Sequence, residues 1–181
     1  PDVIMIGEIR DRNTMKQAIA YAETGHLCLS TLHANNANQA MERVINFFPE
    51  EAHRQLLVDL SLNLAGVVSQ RLIPGLHEKL VPAVEVMLNS SYISDLIAKG
   101  EFSGIKEAMA RSTEIGMCTF DQALYQLYTE DRISLDEALH NADSRTDLAL
   151  RIRLAAGVST QDAGDLSIDT SSPIQSAARL A

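Results

Sequence analysis

The side chains best placed for chemistry in this sequence stand where apolar runs end. Gly7-Glu8 follows Val3-Ile4-Met5-Ile6, and His33 follows the stretch Leu27 to Leu32. In an open α/β sheet, ligands bind beyond the carboxyl ends of the strands, so these are the positions where a ligand would meet the chain. A carboxylate leaving a buried strand behind a glycine can project toward a phosphate, a magnesium-bound water or an attacking water. The same Gly-Glu also suits an acid stabilised at a helix N-terminus by the macrodipole, and these two residues alone leave both readings open. His33 is open in the same way, as a site histidine or as a loop histidine bonded to backbone. His26 precedes the second apolar run. Seven steps at ~3.3 Å put His26 and His33 roughly 23 Å apart if the stretch is extended, too far to share a metal. His33 falls on the edge that carries Glu8, and His26 at the opposite end.

The elements that must position these residues can be read from periodicity. Val3 to Ile6 is a continuous apolar run, as in a strand buried on both faces of a parallel sheet. A chain opening on such a strand predicts residues before it. Asp11 or Asn13 can cap a helix whose apolar side is Met15, Ala18, Ile19 and Ala22, and Gly25 suits its end. Leu27 to Leu32 forms a second strand, and Asn35 or Asn36 caps a helix bearing Met41, Val44, Ile45 and Phe48, broken at Pro49. A long helical pattern follows from about Glu51 to Leu72 with Leu56, Leu57, Leu60, Leu64, Val67, Val68 and Leu72 on one face, stopped by Pro74-Gly75. Leu80 to Leu88 alternates as a strand, with Pro82 marking an edge or a bulge. Short helices fit Tyr92 to Ala98, Gly104 to Ser112, Thr119 to Thr129, Ser134 to Asn141 and Ser144 to Ala156. Ser134 and Glu137 have capping-box spacing. From Gly157 onward the composition of Gly, Ser, Thr and Asp predicts a disordered tail.

Composition narrows the function. The 181 residues carry 15 Lys plus Arg against 24 Asp plus Glu, a net charge of -9 that works against a nucleic-acid backbone as main partner. Cys28 and Cys118 stand far apart with no C-x-x-C pair, so neither a disulfide framework nor a cysteine zinc site is expected, and a reducing compartment is the natural reading. No apolar run reaches the ~18 residues of a membrane span. A soluble, cytoplasmic protein is expected.

Asp2-Val3-Ile4-Met5-Ile6-Gly7-Glu8-Ile9-Arg10-Asp11 resembles the atypical Walker B segment of secretion-superfamily ATPases, with Gly-Glu where Asp-Glu is usual. Thr24-Gly25-His26-Leu27-Cys28-Leu29-Ser30-Thr31-Leu32-His33 resembles their histidine box, at about the family's separation. The likeness continues through Ser69-Gln70-Arg71-Leu72, and Gly116 to Leu124 resembles the helical region of type IV pilus retraction ATPases of the PilT/PilU type. Assembly and type II secretion ATPases usually carry four zinc-binding cysteines after Gln-Arg-Leu, whereas Ile73-Pro74-Gly75-Leu76-His77 has none. In the stretch Tyr92 to Ile97, Ser94 and Asp95 replace an Arg-Asn pair of the PilT type, which brings the sequence closer to the PilU branch.

The resemblance implies an α/β fold: the C-terminal part of a RecA-like P-loop NTPase core over residues 1–88, a helical region over 89–156 and a disordered tail over 157–181. It implies a motor that hydrolyses ATP to power pilus retraction and twitching motility. Glu8 would be the general base or water-orienting group and His33 a γ-phosphate sensor. Gly7, Arg10, Asp11 and His26 would support the nucleotide site. No lysine here completes G-x-x-x-x-G-K-[ST], so ATP and Mg2+ would need an upstream P-loop, and no zinc is expected. Expected partners are further copies in a hexamer or a second retraction ATPase, and an inner-membrane platform protein, placing the motor in the cytoplasm against that membrane. The alternatives left open are an accessory, non-catalytic subunit and an assembly or secretion ATPase of the same superfamily.

Overall fold

The computed structural model describes residues 1–157. Two parallel strands, β1 (Val3–Glu8) and β2 (Leu27–Thr31), are joined by helix α1 (Arg12–Glu23). Helices α2 (Ala37–Asn46) and α3 (Glu50–Asn63) follow, then an antiparallel hairpin of β3 (Gly66–Pro74) and β4 (Leu80–Leu88). Five helices complete the described chain: α4 (Ser91–Lys99), α5 (Ile105–Arg111), α6 (Phe120–Thr129), α7 (Leu135–Asn141) and α8 (Arg145–Ala155). The expected α/β class holds. The expected disordered tail over 157–181 lies, beyond Gly157, outside the described residues.

The local signals act where the sequence carries them. The Asp11 side chain accepts from the Thr14 amide at the start of α1, and Asn36 accepts from Gln39 at the start of α2. Gly25 lies just past α1 at φ +86°, a conformation that costs a side-chain-bearing residue energy and glycine little. Ser134 caps α7, but Glu137 does not reach back to complete a box; its carboxylate accepts from Asn141 instead. The full capping box forms at Thr119 and Gln122.

One expected element is divided differently. The helix foreseen from Glu51 to Leu72 ends at Asn63, and Val67, Val68 and Leu72 belong to β3. The apolar residues run on without a break, so helical spacing alone could not show the change. The chain turns extended at Leu64 (φ -69°, ψ 125°), and Gly66 then lies so close to β4 that a Cβ would stand 2.7 Å from the Met87 carbonyl oxygen. Pro82 meets the edge expectation. The Val86 amide donates away from β3 to the Cys118 carbonyl, and Pro82 shares its parity, so the missing N–H falls on the outer side of the hairpin.

Strand β1 also departs from expectation, being alternately covered rather than buried on both faces. Ile4 and Ile6 turn inward while Val3 and Met5 are 51% and 67% exposed. Met5 on that second face borders a large apolar cavity with Met15, Leu29 and Val68. The inward face joins a core with Met15, Met41, Leu56, Leu60, Met87 and Ile97, which draws side chains from both sides of position 88. A second core gathers Ile73, Val81, Ala83, Phe120, Leu124 and Leu148 between the hairpin and α6–α8.

Candidate functional site

Glu8 and His33 meet at the carboxyl ends of adjacent parallel strands. The strand register places Glu8 opposite Thr31 after an irregularity at Gly7. That end is pinned by the Ile9 amide donating to the Thr31 carbonyl at 2.9 Å and by the Thr31 hydroxyl donating to the Gly7 carbonyl at 2.6 Å. His33 Nε2 lies 3.1 Å from Glu8 Oε1, and Arg10 Nε donates to Glu8 Oε2 at 2.7 Å. The carboxylate is thus held from both sides. The Arg10 hydrogen bond, with the positive fields of Arg10, His33 and Arg43, outweighs partial desolvation and lowers the Glu8 pKa below its ordinary value. The lowered pKa keeps Glu8 ionised at neutral pH but makes it a weak base, better suited to orienting a water than to taking its proton. The His33 ring stays 79% exposed, in position to meet a group arriving from outside the described residues.

The other expected site residues separate. Arg10 and Gly7 adjoin Glu8, while the Asp11 carboxylate is taken up with the Thr14 amide and hydroxyl, which keeps α1 in register behind Glu8. His26 lies at the far end of β2, where Nδ1 is 3.0 Å from the Thr24 hydroxyl and 3.2 Å from the Tyr21 carbonyl. It closes the α1 terminus and does not join Glu8 and His33. One contributor escaped the sequence reading: Arg43, whose charge acts on Glu8 and which lines a shallow depression of about 230 Å³ with His33, Gln39 and Glu42. Gln39, Glu42, Arg43 and Asn46 form a polar stripe at helical spacing along α2, opposite the apolar stripe that drew attention.

A larger cavity of about 730 Å³ has apolar walls from α1, β2 and β3, including Met15, Leu29 and Val68, and excludes both Glu8 and His33. The thiols offer no redox pair. Cys28 and Cys118 are free, and burial pushes both up from the ordinary thiol pKa. Among the described residues no three His, Cys, Asp or Glu side chains converge as metal ligands, and no helix is long and apolar enough to cross a membrane.

A carboxylate and a histidine meet here at the carboxyl ends of adjacent parallel strands backed by helices, the edge at which open α/β folds bind their ligands. The sequence profile of the Type II/IV secretion system protein family matches residues 1–151, and the chain belongs to that family. Among its relatives, the type IV pilus ATPase PilU of Pseudomonas aeruginosa is 58% identical over 168 residues, covering 92% of this chain and 43% of PilU. The retraction ATPase PilT of the same organism is 35% identical, covering 78% of this chain and 41% of PilT. The crystal structure of the pilus retraction motor PilT with bound ADP superposes with a TM-score of 0.73 at 33% identity, covering 83% of this chain and 42% of that one. The chain thus spans less than half the length of these relatives.

Proposed function

We propose that this chain forms the C-terminal part of a motor ATPase whose hydrolysis of ATP powers type IV pilus retraction. Residues 1–88 are assigned to the ATPase core and 89–156 to a helical region that contacts neighbouring subunits. The observation that carries this reading is the Glu8–His33 pair at 3.1 Å on one sheet edge, in a chain 58% identical to a pilus ATPase. Glu8 orients the attacking water, Arg10 keeps it ionised, and His33 reports on the terminal phosphate.

The donor set fits this role only in part. A strand-end carboxylate suits a water on Mg2+, whose chemistry is to neutralise phosphate charge. The successive amides and lysine that cradle phosphates are not encoded in this chain, so an upstream segment supplies them. The assembly is a hexamer, or a joint motor with a second retraction ATPase, working in the cytoplasm against an inner-membrane platform. The test is ATP turnover by the protein at its relatives' full length, parent against Glu8→Gln. A parental rate in the variant reduces Glu8 to a structural acid.

A second reading, an accessory subunit, draws on Ser94 and Asp95. Ser94 is committed to a structural bond with the Ser61 carbonyl at 2.7 Å, and Asp95 to a surface pair with Lys99 at 2.6 Å. Neither offers what an exposed Arg-Asn pair would. Turnover by the full-length protein without a second ATPase rejects this reading.

A further inference from the structure

Glu85 is the most deeply buried acid among the described residues, at 3% exposure, and the mechanism above leaves it unused. Its Oε1 accepts from the Ala37 amide at 2.8 Å. Ala37 is the first residue of α2, so the carboxyl sits on the positive end of that helix; burial nevertheless pushes its pKa above the ordinary value, against the opposing pull of the Ala37 and Phe120 amides. Arg71 of the facing strand works beside it. One guanidinium nitrogen donates to the Asn35 carbonyl at 3.3 Å and to Asp143 at 2.8 Å, another to the Asn141 carbonyl at 2.9 Å, and the group stacks 3.8 Å over the Phe120 ring.

These contacts converge on a single short segment. Glu85 holds the amide of Ala37 and Arg71 the carbonyl of Asn35, so the hairpin grips the backbone two and four residues beyond His33. His33 is itself largely exposed, and among the described residues its side chain pairs only with Glu8. The loop that presents it is therefore fixed from below by the hairpin. The hairpin is in turn tied through Arg71 to the α7–α8 connection.

We propose that Glu85 and Arg71 are positioning residues that hold the segment from Ala34 to Ala37 so that His33 stays in register with Glu8, and that they link this edge to the helices after β4. The proposal rests on the functional reading of Glu8 and His33. Neither residue touches the reacting atoms. Their effect is on geometry, where a misplacement of about 1 Å can cost on the order of 10²-fold in rate.

The test is a set of steady-state ATPase measurements on the full-length protein, normalised to folded protein by circular dichroism. Glu85→Ala is expected to lower kcat about tenfold or more with KM for ATP within about twofold, because binding is separate from the fixed loop. Glu85→Gln keeps an oxygen that accepts from Ala37 and should stay within about twofold of the parent. In a His33→Ala background, Glu85→Ala should add less than about twofold, since its effect passes through His33; equal losses in both backgrounds would reduce Glu85 to general stability and overturn the proposal. If Glu85→Ala does not fold, Arg71→Lys serves, because an ammonium cannot satisfy Asn35, Asn141 and Asp143 together. A fall in kcat supports the clamp, and a parental kcat overturns it. Glu8→Gln separates the two levels. If it keeps parental turnover, the site reading itself has failed, whereas an inactive Glu8→Gln beside a fully active Glu85→Ala refutes the clamp alone.

Discussion

The chain uses charge in two places that differ in what surrounds it. At the sheet edge the Glu8 carboxylate, itself about four-fifths covered, pairs with two partners in the open, Arg10 and His33, both more than three-quarters exposed. Between the hairpin and α6–α8, Arg71, Asp121 and Asp143 are each about four-fifths covered, and Glu85 is buried outright. Exposed pairs contribute little to stability because water solvates the separated ions nearly as well, so the first cluster is free to exchange partners. Buried groups left unpaired are costly, so the second must keep every bond it makes. The first arrangement suits chemistry, and the second suits holding chemistry in place.

That contrast is tested most severely at Glu8. In the full-length protein Glu8→Gln should reduce ATP turnover on the order of 10²-fold or more while nucleotide binding persists, and the unfolding midpoint should not move. Turnover measured by phosphate release beside a binding titration checks both halves. Because Arg10 lowers the Glu8 pKa below its ordinary 4.5, Glu8 contributes no acid limb to the rate profile above that pH. A limb above that pH that vanishes in Glu8→Gln would overturn this assignment of its charge.

The buried cluster should answer in the opposite currency, through stability. Asp121 accepts from the Asp143 amide at 2.7 Å and from Lys106 at 2.9 Å, and it faces the Ser144 amide, so one carboxylate holds the turn that leads into α8 and pairs with a partly covered ammonium. Asp121→Ala leaves the Asp143 and Ser144 amides without this acceptor and Lys106 with Asp143 alone, at 3.4 Å, and should cost about 2 kcal/mol. Urea unfolding of parent and variant measures it. A loss below about 0.5 kcal/mol would show the cluster to be solvated like the first.

How far each region could be read from sequence follows the same division. Glu8 and His33 follow apolar runs, and strand direction alone puts them on one edge, so the local signal was sufficient. The caps at Asp11 and Asn36 were similarly local. The clamp was not, because residues 35, 37, 71, 85, 120 and 143 meet only after the hairpin folds, and no spacing along the chain announces them. Glu85 itself falls in an alternating strand where an acid reads as an outward position, yet the pleat turns it inward with Val81, Ala83 and Met87. The boundary between α3 and β3 was hidden for a different reason. Leu60, Leu64, Val67 and Val68 continue a helical stripe, whereas the pairing of β3 with β4, which brings Gly66 against the Met87 carbonyl, is a long-range contact that helical spacing does not reveal.

The smallest effects come from the adjacent residues Ser94 and Asp95, which reproduce the contrast within one turn of α4. The Ser61 carbonyl lies in the last turn of α3, where it has no partner within the helix, and it accepts from both the Ser94 hydroxyl and the Asn89 side chain. Ser94→Ala removes one of two donors from a partly buried acceptor and should cost about 1 kcal/mol. Asp95 pairs with Lys99 one turn on, and both side chains are about half exposed. Holding two long side chains together there offsets most of the attraction, and salt screens what is left. Asp95→Asn should therefore leave the thermal midpoint unchanged within measurement error at low and high salt alike. A clear drop at low salt that disappears at 1 M would place Asp95 with the structural charges and show that exposure alone does not separate the two kinds of pair.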